Sequence, residues 1–436
     1  MADSDTSIIP YHCVFVDADY RYFWRTALKC LKFNYKREEL INGLQLLWTN
    51  QRSPHKVLPC LSVRTGLDLY LRTKNFPPGS EVIMSAINIP DMIQIVHHHN
   101  LKIVSLDISI ESASPKMELL ESLISEKTVA VMIAHLYGKW VPMEHVISLA
   151  HKHNLCVIED CAEGFSGFER VGHAHTDLAL FSFGVIKFYT SFGGAIARVR
   201  DPYIYKQMAE LHDSYPIQSQ REYLKKITKY FLAYVMLNRQ MPSTVVMSLG
   251  RMLNIDHKNY VVAMLRGFPS GLVERIRQRP SSPLLYTMLD RQRHFSESEF
   301  DISRIKGDYA MERLPDSAVA VGSQNDINNY WLFPIVVDNP DTVVKMLNTL
   351  GIDAYRGASQ LNLVEPDGSR GDDDLTSSLN QFYPAEAKYL IDHIVYLPIN
   401  KNVPFHILDQ ICRRVSVAIK MSNKPTSPQL RLKAKL

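Results

Sequence analysis

The feature that most constrains the fold is a strict alternation of short apolar runs with helical stretches, beginning at Val57 and closing at Asp160. VLPCLSVRTGLDLYL reads as a short strand, a turn and a helix. Gly79 to Met84 gives a turn and a strand, Asp91 to His98 a helix, and Ile103 to Leu106 a strand. Pro115 to Ser125 reads as a helix, Thr128 to Ala134 as a strand, and Met143 to His153 as a helix. That helix leads into the apolar run Leu155 to Ile158. Strands alternating with helices at this spacing imply a mostly parallel sheet. The expected class is therefore α/β: a large domain with a mainly parallel sheet and helices on both faces, followed by a small C-terminal α+β domain.

Open parallel sheets bind ligands outside the carboxyl ends of their strands. Two reactive side chains fall there. Asp160 closes the Leu155–Ile158 run, and Lys187 follows among Phe181, Phe183, Ile186, Phe188 and Tyr189. A lysine in apolar company is costly to ionise, so its amine pKa is expected to fall and its nucleophilicity at neutral pH to rise. Both residues also have ordinary readings. A strand-end aspartate caps a helix or closes a turn, and a lysine stem covers apolar surface while its charge reaches water.

Four segments, in order, resemble the DegT/StrS-type sugar aminotransferase family of fold-type I pyridoxal phosphate enzymes, from about Pro59 to Val415. GSEVIMSAINIP is similar to that family's second strand and cofactor loop. VAVMIAHLYGKWVPM resembles its strand ending in His-Leu-Tyr-Gly, at His135 to Gly138. VIEDCAEGFSG resembles the strand ending in Glu-Asp-Ala-Ala-Gln, and LFSFGVIK the Ser-Phe segment before the cofactor lysine. The resemblance implies pyridoxal 5'-phosphate as cofactor, with its aldehyde on Lys187 and its ring nitrogen facing Asp160. It makes Ser182 the phosphate-side serine and places Arg64 and Thr65 in the family's Ser-Gly-Thr phosphate turn. It also puts Ile89 against the ring and Glu163 at the phenolic oxygen. The implied reaction moves an amino group from an amino donor, glutamate, to a keto acceptor, a nucleotide-linked keto sugar, in a cytoplasmic homodimer.

Several positions depart from the family pattern. Arg64 replaces a glycine, which removes close backbone approach but offers a guanidinium to a phosphate. Ile89 stands where an aromatic usually stacks. Glu163 stands where glutamine is usual, and a carboxylate beside a phenolate is repulsive unless one of them carries a proton. Gly184 replaces a histidine, and the tract after Lys187 is one residue shorter. These departures keep two alternatives open: a pyridoxal phosphate-dependent lyase or dehydratase, and a non-catalytic interaction protein on the same fold.

The remaining chain constrains less. A net charge of +4 on 436 residues, with no clustered basic run, does not suggest nucleic-acid binding. Cys13, Cys30, Cys60, Cys156, Cys161 and Cys412 form no CxxC pair, and reduced thiols are expected. MADSDTSIIPYHC lacks a basic region followed by an apolar core, so no signal peptide is expected. His97, His98 and His99 are consecutive on a helix, point about 100° apart and cannot share one metal ion; no metal site is expected. The expected division is an N-terminal segment (1–56) packed on a cofactor domain (57–200), a helical insert (201–283), a small domain (284–420) and a disordered basic tail (421–436). Within the insert, 223–265 offers lysines on one side and apolar residues on the other. Packing or oligomer contact ranks ahead of a membrane surface there. The family's Asn-Tyr-Arg loop is not evident, and Arg277 and Arg279, near its expected place, are given no role. Asp372, Asp373 and Asp374 read as solvated charges in a Gly-rich loop.

Overall fold

A computed structural model describes residues 6–32, 34–49, 55–253, 265, 271–357, 361–367 and 382–422. Expectations for Tyr260 to Met264, Asp372 to Asp374 and the tail beyond Ser422 lie outside those residues. Two helices, α1 (Tyr20–Cys30) and α2 (Arg37–Trp48), come first. The alternating region follows as β1 (Lys56–Cys60), α3 (Val63–Lys74), β2 (Glu81–Ser85), β3 (Ile87–Asn88), α4 (Pro90–His98) and β4 (Lys102–Leu106). It continues with α5 (Met117–Leu123), β5 (Thr128–Ala134), α6 (Glu144–Lys152), β6 (Cys156–Asp160), β7 (Leu178–Ser182) and β8 (Ala195–Val199). The sequence reading located β1, β2, β4, β5 and β6 to within two residues and did not anticipate the two-residue β3.

These strands form a seven-stranded sheet in the order β1-β8-β7-β6-β5-β2-β4. Strands β7, β6, β5, β2 and β4 pair in parallel, and β8 runs antiparallel to both neighbours. The central strands are apolar and buried on both faces, as helices covering both sides require. The carboxyl ends of β6 and β7 place Asp160 and Ser182 at one edge of the sheet.

Helix α3 lies very close to the sheet, and Gly66 is what permits it. A Cβ there would sit 2.7 Å from Leu180 Cδ2 and 3.3 Å from Ala197 Cβ. The helix begins at Ser62, whose hydroxyl accepts the Thr65 amide at 3.3 Å and caps the first turn.

After β8 come α7 (Pro202–Asp213), α8 (Gln220–Asn238) and α9 (Gln240–Leu253). Helix α8 packs along α1, burying Tyr223, Ile227, Tyr230, Ala233, Tyr234 and Leu237, a helical spacing of three and four. A three-stranded antiparallel sheet, with β10 (Phe333–Val336) between β9 (Val319–Ala320) and β11 (Ile394–Leu397), builds a separate core with the helix Phe405–Ser422. The N-terminal segment reaches this second core as well. The Ile9 amide donates to the Gly351 carbonyl at 2.8 Å, and the Cys13 amide to Asp353 at 2.9 Å. A helix at Glu297–Met311 precedes this sheet, and its central strand begins at Phe333. Just before this strand, Tyr330 packs in the second core while Trp331 reaches Lys187.

Candidate active site

A cavity of about 640 Å³ opens at the carboxyl ends of β6 and β7. Arg64, Ile89, Asp160, Glu163, Ser182 and Lys187 line it, together with Ser62 and Val63 at the start of α3. Thr65 does not, which corrects the expectation that its hydroxyl faces a phosphate. One turn into α3, that hydroxyl points into the protein and donates to the Ile276 carbonyl at 2.8 Å. Ser62, one position before the helix, borders the cavity in its place.

Lys187 is held by a closed loop. Phe183 donates its amide to the Gly194 carbonyl, and its own carbonyl accepts the amides of Ser191 and Gly193, so residues 183–194 return on themselves. At the far end of this loop the Lys187 ammonium lies 3.2 Å from Glu163 Oε1 and 3.9 Å from the centre of the Trp331 ring. A cation over an indole face is attracted by the ring quadrupole. The Trp331 indole N–H in turn donates to the Ile186 carbonyl.

Glu163 is buried and doubly committed. Its Oε2 accepts the Tyr137 amide at 2.8 Å while Oε1 faces Lys187. Tyr137 reaches that amide position with a φ of 57°, and the following Gly138, at φ 88°, leaves no room for a Cβ beside Asn329. The Asn329 side-chain amide donates to the carbonyls of Glu163 and Phe165 at 2.9 and 2.8 Å. Burial raises the Glu163 carboxyl above its ordinary range, against the pull of Lys187 and the Tyr137 amide.

Asp160 is also buried. Its Oδ2 accepts the Asn88 side-chain amide and its Oδ1 the Ala162 amide, both at 3.2 Å. Burial raises its pKa too, with the two amides and Lys187 pulling the other way. A buried carboxylate that meets only neutral donors at hydrogen-bond distance suits a protonated ring nitrogen placed before it. A primary amine on the same cavity and the N-terminus of α3 at its margin complete a donor set that fits pyridoxal phosphate. Arg64 borders the cavity, and its Nε donates to Asp91 at 2.5 Å. Ile89 caps α4 there without presenting a ring.

Behind this site, His135, Glu159 and Cys161 bring potential ligand atoms within 4.8 Å of one another, all buried. His135 and Glu159 are already committed. His135 Nε2 donates to Glu159 at 2.9 Å, its Nδ1 accepts the Val141 amide, and the other Glu159 oxygen accepts Thr176 and the His173 amide. Burial alone would raise Glu159, but these donors outweigh it and hold the carboxyl below its usual range. The consecutive histidines go to three partners: His97 to Asp367, His98 to Arg277, and His99 to Asp68. Arg277 forks onto Asp68 at 2.9 Å through both nitrogens, and Arg279 holds the Tyr215 carbonyl.

The sequence reading missed the cover of the cavity. Gln218, Tyr223, Lys226 and Tyr230, at and within the start of α8, line it opposite the sheet.

Residues 55–243 match the DegT/DnrJ/EryC1/StrS aminotransferase family. Over this stretch, rather less than half of its length, the chain is similar to that family. Among curated relatives, GDP-perosamine synthase of Escherichia coli O157:H7 is 30% identical over 141 residues, 32% of this chain and 39% of that protein. The dTDP-3-amino-3,6-dideoxy-alpha-D-galactopyranose transaminase of Aneurinibacillus thermoaerophilus is 33% identical over 130 residues, 28% of this chain and 36% of that one. The chain thus spans about two fifths of the length of the curated relatives it matches. In fold the likeness runs further. Helicobacter pylori PseC, an aminotransferase involved in the biosynthesis of pseudoaminic acid, superposes with a TM-score of 0.66 over 94% of this chain and 99% of its own, at 16% identity. The E. coli GDP-4-keto-6-deoxy-D-mannose-3-dehydratase with bound hydrated PLP gives 0.64 over 94% and 100%, at 12% identity. The sheet is that of the fold-type I α/β enzymes.

Proposed function

We propose that the chain is a pyridoxal phosphate-dependent aminotransferase that moves an amino group from an amino acid, glutamate, to a keto group on a nucleotide-linked sugar. The observation that carries this reading is the placement of Lys187 and Asp160 on one cavity at the carboxyl end of the sheet. When bound, pyridoxal phosphate supplies an aldehyde that condenses with amines and a ring that takes up electron density from the substrate.

The protein's own residues divide the remaining work. Lys187 would hold the aldehyde carbon and, once freed, take the Cα proton of the amino donor; in the second half-reaction it returns a proton to the carbon that receives nitrogen. Asp160 would hold a proton at the ring nitrogen. Its burial makes an unpartnered negative charge there costly, so a cation facing it is strongly favoured. Ser62, Ser182 and the first amides of α3 would hold the phosphate, with Arg64 at their margin. Trp331, held by the Ile186 carbonyl, shields the Lys187 amine from water on one side. In this reading the protein is a homodimer. All six cysteines are free thiols, which suits a reducing, cytoplasmic setting.

Glu163 favours a second reading, a dehydration or other elimination. A buried carboxyl beside the Lys187 amine, raised by burial, is suited to carry a proton to a departing hydroxyl. Incubation with nitrogen-15 glutamate and a nucleotide-linked keto sugar separates the two. Label in the sugar supports amino transfer. Loss of water without label, from a protein with active cofactor, supports elimination.

A further inference from the structure

Helix α1 and helix α8 run antiparallel against each other. Tyr20 at the start of α1 lies near Arg239 just past α8, Trp24 packs near Phe231, and the far end of α1 meets Gln220. Their inner faces are buried. Their outer faces are apolar and basic together. Trp24, Leu28 and Leu31 are about 60 to 65% exposed, and Leu232 on α8 is 56% exposed. Helix α9 packs on α8 and carries Met241, Val245, Leu249 and Met252, all exposed, at intervals of four, four and three, which is one stripe of a helix.

Charge on these elements is one-sided. Residues 20–32 and 220–253 hold ten lysines and arginines against one acid, Glu222, a net of +9 where the whole chain carries +4. Glu222 is spent on Lys226 at 3.1 Å, and Asp19 caps α1 at its first turn. The rest of the chain is therefore net acidic, and the excess positive charge gathers on these few helices. Large apolar side chains, a tryptophan among them, interleaved with lysines and arginines on surface helices are what an interfacial helix needs. The apolar groups enter the boundary of the acyl chains, while the cations reach the headgroups on flexible stems. Among the described residues no helix is long and apolar enough to cross a membrane, so such a face lies on a bilayer rather than through it.

We infer that the outer face of α1, α8 and α9 docks the protein on an anionic lipid bilayer. The occupant is a lipid surface rather than an acidic protein because exposed aliphatic and indole groups (Trp24, Leu28 and Leu31 with α1, Leu232 on α8 and the stripe on α9) accompany the exposed cations Arg21, Arg25, Arg221 and Lys225. Docking there sets the cavity beside the membrane, since α8 turns Tyr223, Lys226 and Tyr230 toward the cavity.

The test is flotation of the full chain, loaded with pyridoxal phosphate, with vesicles of phosphatidylcholine alone and of phosphatidylcholine with 30% phosphatidylglycerol, that composition being the probe. Binding is expected only to the anionic vesicles, with at least a tenfold loss of affinity between about 50 and 500 mM salt. Tryptophan emission should shift to the blue on binding, and Trp24→Phe should remove that shift. The triple change Arg21→Glu, Arg25→Glu, Lys225→Glu should abolish binding while the circular dichroism spectrum and bound cofactor stay as in the parent. No vesicle binding, or equal binding to neutral vesicles, overturns the inference. So does sedimentation showing that Leu28→Glu converts a dimer to a monomer without vesicle binding, which would make this face a contact between two copies.

Discussion

Glu163 Oε1 lies 3.2 Å from the Lys187 amine, while its other oxygen is pinned by the Tyr137 amide at 2.8 Å. A carboxyl held this way cannot swing aside without breaking a buried hydrogen bond, so it acts on the amine continuously. The groups facing it are Lys187, Asp160 and the ring hydroxyls of Tyr137 and Tyr396.

Glu163→Gln keeps an acceptor for the Tyr137 amide and removes the charge. A negative neighbour favours positive charge at the nitrogen that binds the cofactor, so its loss should weaken that preference. In the cofactor-loaded protein, the pH midpoint of the visible absorption band should move down by about one unit. A midpoint that stays in place would mean that the carboxyl already carries a proton at neutral pH.

Asp160 gives a prediction for the protein without cofactor. Its folded pKa is raised by burial, so the folded state holds a proton more tightly than the unfolded state does. Stability then falls as pH rises from the ordinary carboxylate range through the raised value, and is greatest below it. Asp160→Asn should flatten that part of the curve of urea stability against pH. The same change should weaken cofactor retention by a hundredfold or more, about 3 kcal/mol, because the ring nitrogen loses its counter-charge. Unchanged retention would remove Asp160 from the site.

Lys226 reaches the cavity from α8, and its described ion pair is with Glu222, which is half exposed. Such a pair is weak, and the ammonium is available to an anionic ligand. Lys226→Ala should raise the KM for a nucleotide-linked acceptor about tenfold, with kcat within about twofold. Equal loss in kcat and kcat/KM would place Lys226 at the reacting atoms instead.

What the sequence made legible, and what it did not, follows from the range of the interactions. The alternation from Val57 to Asp160 is local, because each strand and helix announces itself by its own apolar period, and these limits survived to within a residue or two. Asp160, Glu163 and Lys187 could be found because they sit on or just beyond strand ends that the alternation fixes. Thr65 was misplaced because the reading aligned a motif without asking which way one turn of helix would aim it; Ser62, an N-cap residue immediately before an apolar helix, was the available signal. Trp331 and Asn329 reach the site only through tertiary folding, more than a hundred residues along the chain from Lys187 and Glu163, and no local pattern marks them; Tyr137 lies in the His-Leu-Tyr-Gly tract just beyond β5. The buried face of Tyr223, Ile227, Tyr230 and Tyr234 was visible as a helical period, but nothing in the period says that Lys226 faces the same cavity as Lys187.

The most direct test is borohydride reduction of the protein purified with pyridoxal phosphate, followed by peptide mapping. A visible band that disappears on reduction, with the cofactor's mass on the peptide containing Lys187 and lost in Lys187→Ala, is the result this account predicts. A cofactor that fails to bind, or one that reduces onto another lysine, would contradict it.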